Sequence, residues 1–444
     1  MKLWRHHLIR FLGAVLVFSL PTLGTTDTPS TPSTNMNDAL LTALGWHPSI
    51  ATAKAKLTEQ QFRERVAKSG YLPQVSGGLK SGYEGRGSDQ ESSQILTLSV
   101  SQMLYDFGEV RHGVRAERAL VLKQQAELFM AVEDTLNNTA TAVLESWRYQ
   151  ELEAIALAQH RALQKLTDLV AERHRKGAAS RSDLAQSKTR VESAYTQVLQ
   201  HQNQKRMWQN RLASLLGKQQ PHAISSQPAP LSAESCVFTH ESVEEAPSLR
   251  AAFALRDSAD AVAKKATART LPTLSLDPSV THYLKDPQWA EQGEPDKTQY
   301  GVYLNMNMPL YQGGALSAER KLAQATKMAA EADILAERQQ ILEALFTSSA
   351  QREVLTHHLN VLSQREALSQ ETRRLYQQQY MELGTRPLID LLNAEQEIFQ
   401  TRFERINVQH EMQLTSLTCA HALGQLRPLF ALENAVIQGV NLTP

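Results

Sequence analysis

Between Val114 and Lys176 the chain contains neither proline nor glycine, and the same holds from Ala315 to Leu383. Those two residues interrupt helices most readily, one by removing a donor and clashing with the preceding turn, the other through backbone entropy. At about 1.5 Å of rise per residue, each run reaches roughly 90–100 Å as a helix. Ordinary helices hold about a dozen residues, and no globular core needs an element of that length. Leu355, Leu359 and Leu362, followed by Phe399, Phe403, Ile406, Leu414 and Leu417, recur with helical spacing. No strict heptad is sustained, so an ordinary two-stranded coiled coil fits poorly. Gly177 and Gly384 sit where a helix commonly stops. Pro387 suits a first helical position, and Asp183 and Asp390 suit the first turn of a returning helix. Two long helical hairpins are therefore predicted.

The two hairpins belong to a duplication. "YLPQVSGGL" (71–79) answers to "TLPTLSLDP" (270–278), "QMLYDFGEVRHGVRAERA" (102–119) to "MPLYQGGALSAERKLAQA" (308–325), and "RKGAASRSDLAQ" (175–186) to "ELGTRPLIDLLN" (382–393). The offsets are 199 from Pro73 to Pro272, 206 from Tyr105 to Tyr311 and 207 from Gly177 to Gly384. A spacing that steady marks an internal repeat of about 200 residues. Each copy runs helix (about 49–69 and 246–269), strand, polar loop, strand, very long helix, glycine turn and helix. The segment 218–247, rich in proline and serine, joins them. The domains read as a signal peptide (1–24), a flexible N-terminus (25–36), a first repeat (37–217), the linker, a second repeat (248–426) and a C-terminal segment (427–444).

The signal peptide rests on Lys2, Arg5 and Arg10 ahead of the apolar "FLGAVLVFSL" (11–20), with small residues at Thr22 and Gly24. The apolar run is short of the roughly 20 residues a membrane helix needs, so export is the reading and a retained anchor the alternative. No later stretch is apolar enough to span as a helix, so membrane entry would have to use strands. The full-length chain carries 46 basic and 46 acidic side chains, which leaves no basic footprint for nucleic acid. Cys236 and Cys419 are the only cysteines. They can pair in an oxidising compartment or remain two thiols, since two distant cysteines define no framework.

Four strands are expected at 73–83, 95–105, 272–283 and 299–311, with polar loops at 84–94 and 284–298. Each is close to the length of a tilted membrane strand. Leu96, Leu98 and Val100 alternate with Thr97, Ser99 and Ser101, while Val302, Leu304 and Met306 alternate with Tyr303, Asn305 and Asn307. Such alternation belongs to a barrel with lipid outside and water inside, or to a soluble sheet with one wet face. Tyr83, Tyr283 and Tyr300 stand at the loop ends, with Trp289 in the loop, and Tyr105 and Tyr311 at the helix ends, as two interfacial girdles. Asp277-Pro278 interrupts the third strand, where a bulge is expected. Four strands cannot close a barrel, and an open edge is not tolerated in lipid. Several copies must therefore share one barrel, eight strands from two chains or twelve from three, and the residues do not choose between them.

The chain resembles the TolC family of outer-membrane efflux and secretion ducts. The resemblance is carried by "YLPQVSG" and "TLPTLSL" at the helix-to-strand junctions, by "SQMLYDFGE" and "NMPLYQGGALSAE" at the strand-to-helix junctions, and by the long match at 380–426. Pro73, Pro272, Gly108, Gly313 and Gly314 mark those junctions. The fold implied is mixed and mainly α: long helical hairpins plus four β-strands contributing to a shared trimeric, twelve-stranded membrane β-barrel. The resemblance further implies a homotrimer in the outer membrane, a helical tunnel across the periplasm, and a belt made by the linker and C-terminal segment. The implied partners are a periplasmic adaptor (a membrane fusion protein), an inner-membrane pump of ABC or RND type, and outer-membrane lipid. The implied cargo is drugs or, in type I secretion, unfolded proteins. It also implies a gate at the hairpin tips, with Arg386 as the gate arginine and Asp390 and Asp183 as acidic partners. The gate tyrosine falls at Met381, with Tyr380 beside it, and a second acidic position is Asn393.

No H-E-x-x-H, C-x-x-C, P-loop or G-x-S-x-G motif occurs, so neither a catalytic activity nor a cofactor or metal is expected. The rival class is a periplasmic adaptor or structural stalk without a pore. Adaptors, however, typically carry one hairpin between small β domains rather than two hairpins and two strand pairs.

Overall fold

The computed structural model describes residues 33–86, 89–231, 236–285, 297–433 and 436–441. The expected signal peptide and Trp289 lie outside them. The first half contains β1 (Ser33–Thr34), α1 (Met36–Trp46), α2 (Pro48–Lys68), β2 (Gln74–Arg86), β3 (Asp89–Tyr105), α3 (Glu109–Arg175), α4 (Arg181–Leu215) and β4 (Ala223–Ile224). The second contains α5 (His240–Glu244), α6 (Pro247–Ala268), β5 (Thr273–Lys285), β6 (Thr298–Asn307), α7 (Ala315–Gln378), α8 (Leu388–Ala422), α9 (Leu426–Leu429), β7 (Val436–Ile437) and β8 (Val440–Asn441). The long elements α3 and α7 hold 67 and 64 residues, or roughly 100 Å each. Among the described residues no helix is both long and apolar enough to cross a membrane.

Helix α1 is an addition to the expected elements. Asn35 caps it: the Asn35 side chain accepts from the Asp38 amide at 2.8 Å and donates to the Asp38 carboxylate at 2.8 Å. That satisfies one of the donors a helix start leaves open. Its buried residues Leu40 and Leu44 meet Leu128, Val132, Leu136 and Leu144 of α3 and Leu417 of α8. Helix α3 is the hub of the protomer, packing against α1, α2, α4, α6, α8 and α9.

The linker and the C-terminal segment pack where these helices meet. Cys236 and Cys419 form a disulfide with their Cα atoms 5.1 Å apart. It staples the linker to the last turn of α8, and the Leu231 amide adds a hydrogen bond to Gln413 Oε1 at 3.1 Å. At the C-terminal end, the buried Glu133 carboxylate of α3 accepts from the Leu426 amide at 2.9 Å and from Arg427 Nε at 2.8 Å. Burial pushes Glu133 above the usual carboxylate range, with the Arg427 guanidinium opposing. Strand β1 pairs in parallel with β4, so the start of the described chain is tied to the linker as well.

The four long strands form one antiparallel sheet in the order β2-β3-β5-β6. It departs from expectation in three places. The first hairpin keeps its ladder out to Arg86 opposite Asp89, so most of the predicted polar loop 84–94 is strand. Polar side chains do not prevent backbone pairing, and a ladder can outrun the apolar band. Strand β6 ends at Asn307 rather than 311, because Pro309 has no N–H to donate. No bulge occurs at Asp277-Pro278. The β3–β5 ladder skips those two residues and resumes in the same register, Ser99 opposite Ser279 and Gln102 opposite Leu276. Its register shifts fall at Gln94/Ile95 and Met103/Tyr105 instead.

Candidate functional site

The candidate site has two parts, the four-stranded sheet and the hairpin tips at the opposite end. Along the sheet, side chains alternate between two faces. Val75 and Leu79 of β2, Leu96 and Leu98 of β3, Leu276 and Val280 of β5, and Val302, Leu304 and Met306 of β6 share one face by register. That face is exposed in the protomer: Val302 is 69% and Met306 75% accessible. A contiguous apolar surface of this extent marks an interaction site or a membrane. The other face carries Ser76, Thr97, Ser99, Ser275, Asp277, Ser279, Thr281 and Asn305.

The tyrosines divide between these faces. Tyr83 follows Leu79 and Tyr300 pairs with Val280, so both lie on the apolar face, and each is about four-fifths exposed. Tyr105 closes β3 and meets the Phe107 ring edge-on at 4.7 Å. Tyr311 lies beyond the end of β6, outside the sheet, and is 84% exposed. Tyr283 pairs with Ile95 on the polar face, so it cannot belong to a lipid-facing girdle. It is an odd number of residues from Val280, and period two sends it inward.

At the strand-to-helix junctions the two repeats use the same bend. Phe107 and Gly108 have φ of 54° and 92°, and Gly313 and Gly314 have 59° and 85°. Two successive left-handed residues turn the chain from strand into helix, a conformation that costs a side-chain-bearing residue and suits glycine. Gly108 and Gly314 are the N-caps of α3 and α7. In the first repeat the Asp106 carboxylate accepts from the amides of Gly108 at 2.9 Å and Val110 at 2.5 Å. Pro73 and Pro272 immediately precede β2 and β5, where a missing donor breaks no ladder bond.

At the far end, both hairpin tips are assembled by local capping. Gly177, with φ 77°, follows α3, and the Ala178 amide returns to the Arg173 carbonyl at 2.8 Å. Ser180 then caps α4 in a reciprocal box: the Asp183 amide donates to Ser180 Oγ at 3.0 Å, and the Ser180 amide to Asp183 Oδ2 at 3.1 Å. In the second hairpin a π-helical turn over Gln379–Leu383 leads to Gly384 in the left-handed region. Pro387 is extended and serves as the N-cap, so α8 starts at Leu388, one residue later than expected.

The structure brings Arg386 and Asp390 together and keeps Asp183 in its own cap. Arg386 Nη1 donates to Asp390 Oδ2 at 3.1 Å and its Nε to Gln379 Oε1 at 3.1 Å, and its guanidinium lies 4.2 Å from the Tyr376 ring centre. Tyr380 is buried against Leu163 and Val170 of α3, Ala194 of α4 and Leu388, Leu391 and Leu392 of α8. Arg173 stacks over its ring at 4.7 Å. Burial pushes the Tyr380 phenol up, with Arg173 opposing and the Asp183 carboxylate adding to the rise. Met381 is more than one-third exposed. Asn393 accepts from Arg190 Nη2 at 3.4 Å, and Arg190 Nη1 reaches Gln396 at 2.6 Å, which joins α4 to α8. Arg173, Arg190 and Tyr376 were not singled out from the sequence. Arg173 and Arg190 act across the repeats, and Tyr376 meets Arg386 across the tip of its own hairpin; no spacing within one helix signals either.

The family model described as outer membrane efflux protein matches residues 40–218 and 239–425. The chain belongs to the outer membrane efflux protein family. Outer membrane protein TolC of Escherichia coli is 22% identical over 401 residues, covering 85% of this chain and 80% of TolC. Outer membrane efflux protein BepC of Brucella suis is 20% identical over 400 residues, covering 89% and 86%. The crystal structure of the outer membrane protein VceC from Vibrio cholerae matches with a TM-score of 0.78 at 19% identity, covering 88% of this chain and 96% of that one. This efflux protein is an outer-membrane exit duct with a periplasmic helical tunnel. Its helix-and-strand architecture is that of the solved channels.

Proposed function

We propose that three copies of the chain close one twelve-stranded barrel over a continuous helical tunnel and conduct cargo passively to the exterior. The observation that carries this reading is the sheet itself. Among the described residues it has four strands, an exposed apolar face, and two edges, β2 and β6, with no partner strand. Lipid does not tolerate open edges, so the edge of β6 must meet β2 of another copy. The exposed residues Val354, Val361 and Leu368, seven apart on α7, supply a second surface for a neighbouring protomer to cover. The linker and C-terminal segment, held by the disulfide and by Glu133, form the belt.

In this reading the hairpin tips are the periplasmic gate. Arg386 and Asp390 restrain the inner helices through a surface pair whose side chains keep about one-third of their area in water, beside the buried Tyr380, the exposed Met381 and the Asp183 cap. Pairs of that kind contribute near 0–1 kcal/mol each, weak enough to be opened by a partner. The partners are a periplasmic adaptor and an inner-membrane pump of ABC or RND type, and the cargo is drugs or unfolded protein. The duct itself performs no chemistry. The test is purification in detergent, sizing, and planar-bilayer recording. A trimer giving small, stable conductances that rise in Arg386→Ala or Asp390→Ala is expected. A monomer without conductance, even in those variants, would overturn the reading.

A further inference from the structure

In the part of the sheet nearest the helices, the polar face carries a single fixed charge. In the aligned segments 74–78, 97–105, 273–281 and 299–307, Asp277 is the one charged residue. Its neighbours on that face are hydroxyls and amides: Ser101, Ser275, Ser279, Tyr303 and Asn305. Lys80, on the same face, pairs with Ile95, and Ile95 pairs with Tyr283. Tyr283 is six residues along β5 from Asp277, or about 20 Å, well beyond a Debye length of roughly 8 Å at physiological salt.

The carboxylate is also held in place. Asp277 Oδ1 accepts from Ser101 Oγ at 2.6 Å, and Oδ2 from Ser275 Oγ at 2.8 Å and from Asn305 Nδ2. These donors come from three strands, and donors alone surround it, which matches an acceptor-only, ionised group. Beside it the β3–β5 ladder is interrupted. The side chain thus bridges the strands where Pro278 cannot donate, and it keeps one orientation on the water-facing side.

We infer that Asp277 is an ion-selectivity residue of the barrel, three copies forming a ring of negative charge that favours cations and cationic cargo far from the periplasmic tips. The inference rests on the proposed shared barrel. A fixed anionic ring in a water-filled passage raises the local concentration of cations, and its reach shrinks from about 10 Å at 0.1 M salt to about 3 Å at 1 M.

The experiment is reversal-potential measurement in planar bilayers across a potassium chloride gradient, at low and high salt, in the Asp390→Asn background so that the tips contribute less. The parent should prefer potassium over chloride, more strongly at low salt, and Asp277→Asn should lower the permeability ratio by about twofold or more. Asp277→Glu should retain the preference. As a second measurement, Asp277→Cys is modified in the open pore with water-soluble thiosulfonates. A negatively charged adduct should restore cation preference and a positively charged one should reverse it. Conducting channels whose permeability ratio is the same in Asp277→Asn as in the parent, or the same with either adduct, would overturn the assignment. A parent chain that makes no channels would overturn the shared barrel itself and the ring with it.

Discussion

Helices α3 and α7 descend from one ancestral element, start at equivalent left-handed bends and reach nearly the same length, yet they live in different surroundings. In α3, 24 residues are buried, against 8 in α7. Helix α3 is enclosed by its own protomer on several sides and carries buried charges, Glu133 with Arg427 and Glu145 beside His410. Helix α7 presents Leu322, Met328, Leu335, Phe346, Val354, Val361 and Leu368 to the outside. Its charges make exposed pairs with its neighbours, such as Arg365 with Glu397 and Glu404 of α8. Duplication supplied two equal helices. One became the internal spine of the protomer, and the other kept an apolar face for something beyond it.

The largest way to break this contrast is at the buried pair. Arg427→Met leaves the Glu133 carboxylate buried without its cation and should cost about 3–5 kcal/mol. Adding Glu133→Gln should recover much of that loss. Chemical denaturation of the purified protein measures both, and a loss below about 1 kcal/mol would mean that the pair is dispensable to the spine. Truncating the two helices compares them directly. Leu144→Ala in α3 removes a side chain with no exposure and should cost about 2–5 kcal/mol. Leu368→Ala in α7 should leave protomer stability within about 0.5 kcal/mol but shift sizing profiles toward dissociated chains. Equal losses of unfolding free energy would erase the distinction.

The pH dependence sharpens the same contrast more modestly. Burial against α3, with the Arg148 charge adding to it, pushes His410 down to about 3 from its ordinary 6.5. The unfolded chain therefore takes up a proton that the folded chain refuses. This contribution to stability is complete above pH 6.5 and is lost toward pH 3 at about 1.4 kcal/mol per pH unit. Glu145, raised by burial with Arg148 opposing, works in the opposite sense, gaining stability as pH falls. The informative quantity is thus the difference between the parent and His410→Gln, whose acid-side decline in melting temperature should be shallower. Identical slopes would remove His410 from the account. The smallest effect belongs to α7. Lys264 and Lys327 hold Asp260 down to about 2, and Lys327 Nζ lies 2.8 Å from Asp260 Oδ1. Because both side chains keep more than a quarter of their surface in water, Lys327→Met should cost no more than about 1 kcal/mol, and a loss of several would show that α7 relies on such pairs more than their partial exposure implies.

Much of the candidate site was legible because its signals are local and periodic. The proline- and glycine-free runs, the alternating strands and the glycine bends each involve residues close in sequence. The tips were legible only in part. Arg386 and Asp390 lie one helical turn apart and do meet, whereas Tyr380 is held by Arg173 of the other repeat. Asp183, singled out as an acidic gate partner, spends its carboxylate on the Ser180 amide, a capping box that S-x-x-D in the sequence already spelled. Tyr283, expected in a girdle with Tyr83 and Tyr300, shares its face with Asp277 instead, and its odd separation from Val280 already carried that signal in the sequence.

What the sequence determined by itself was the inventory: two repeats, two long hairpins, four strands with one polar face, and the residues at each bend. Helix period, strand period and turn chemistry depend on near neighbours, and those are written in order along the chain. Only the tertiary structure decided which of the two equivalent long helices would be buried. It also decided that Cys236 and Cys419 pair across 183 residues, and that Asp277 is spanned by donors from three strands instead of forcing a bulge. Those outcomes depend on which surfaces meet in space, and no periodicity within a segment records a neighbour that arrives from elsewhere in the chain.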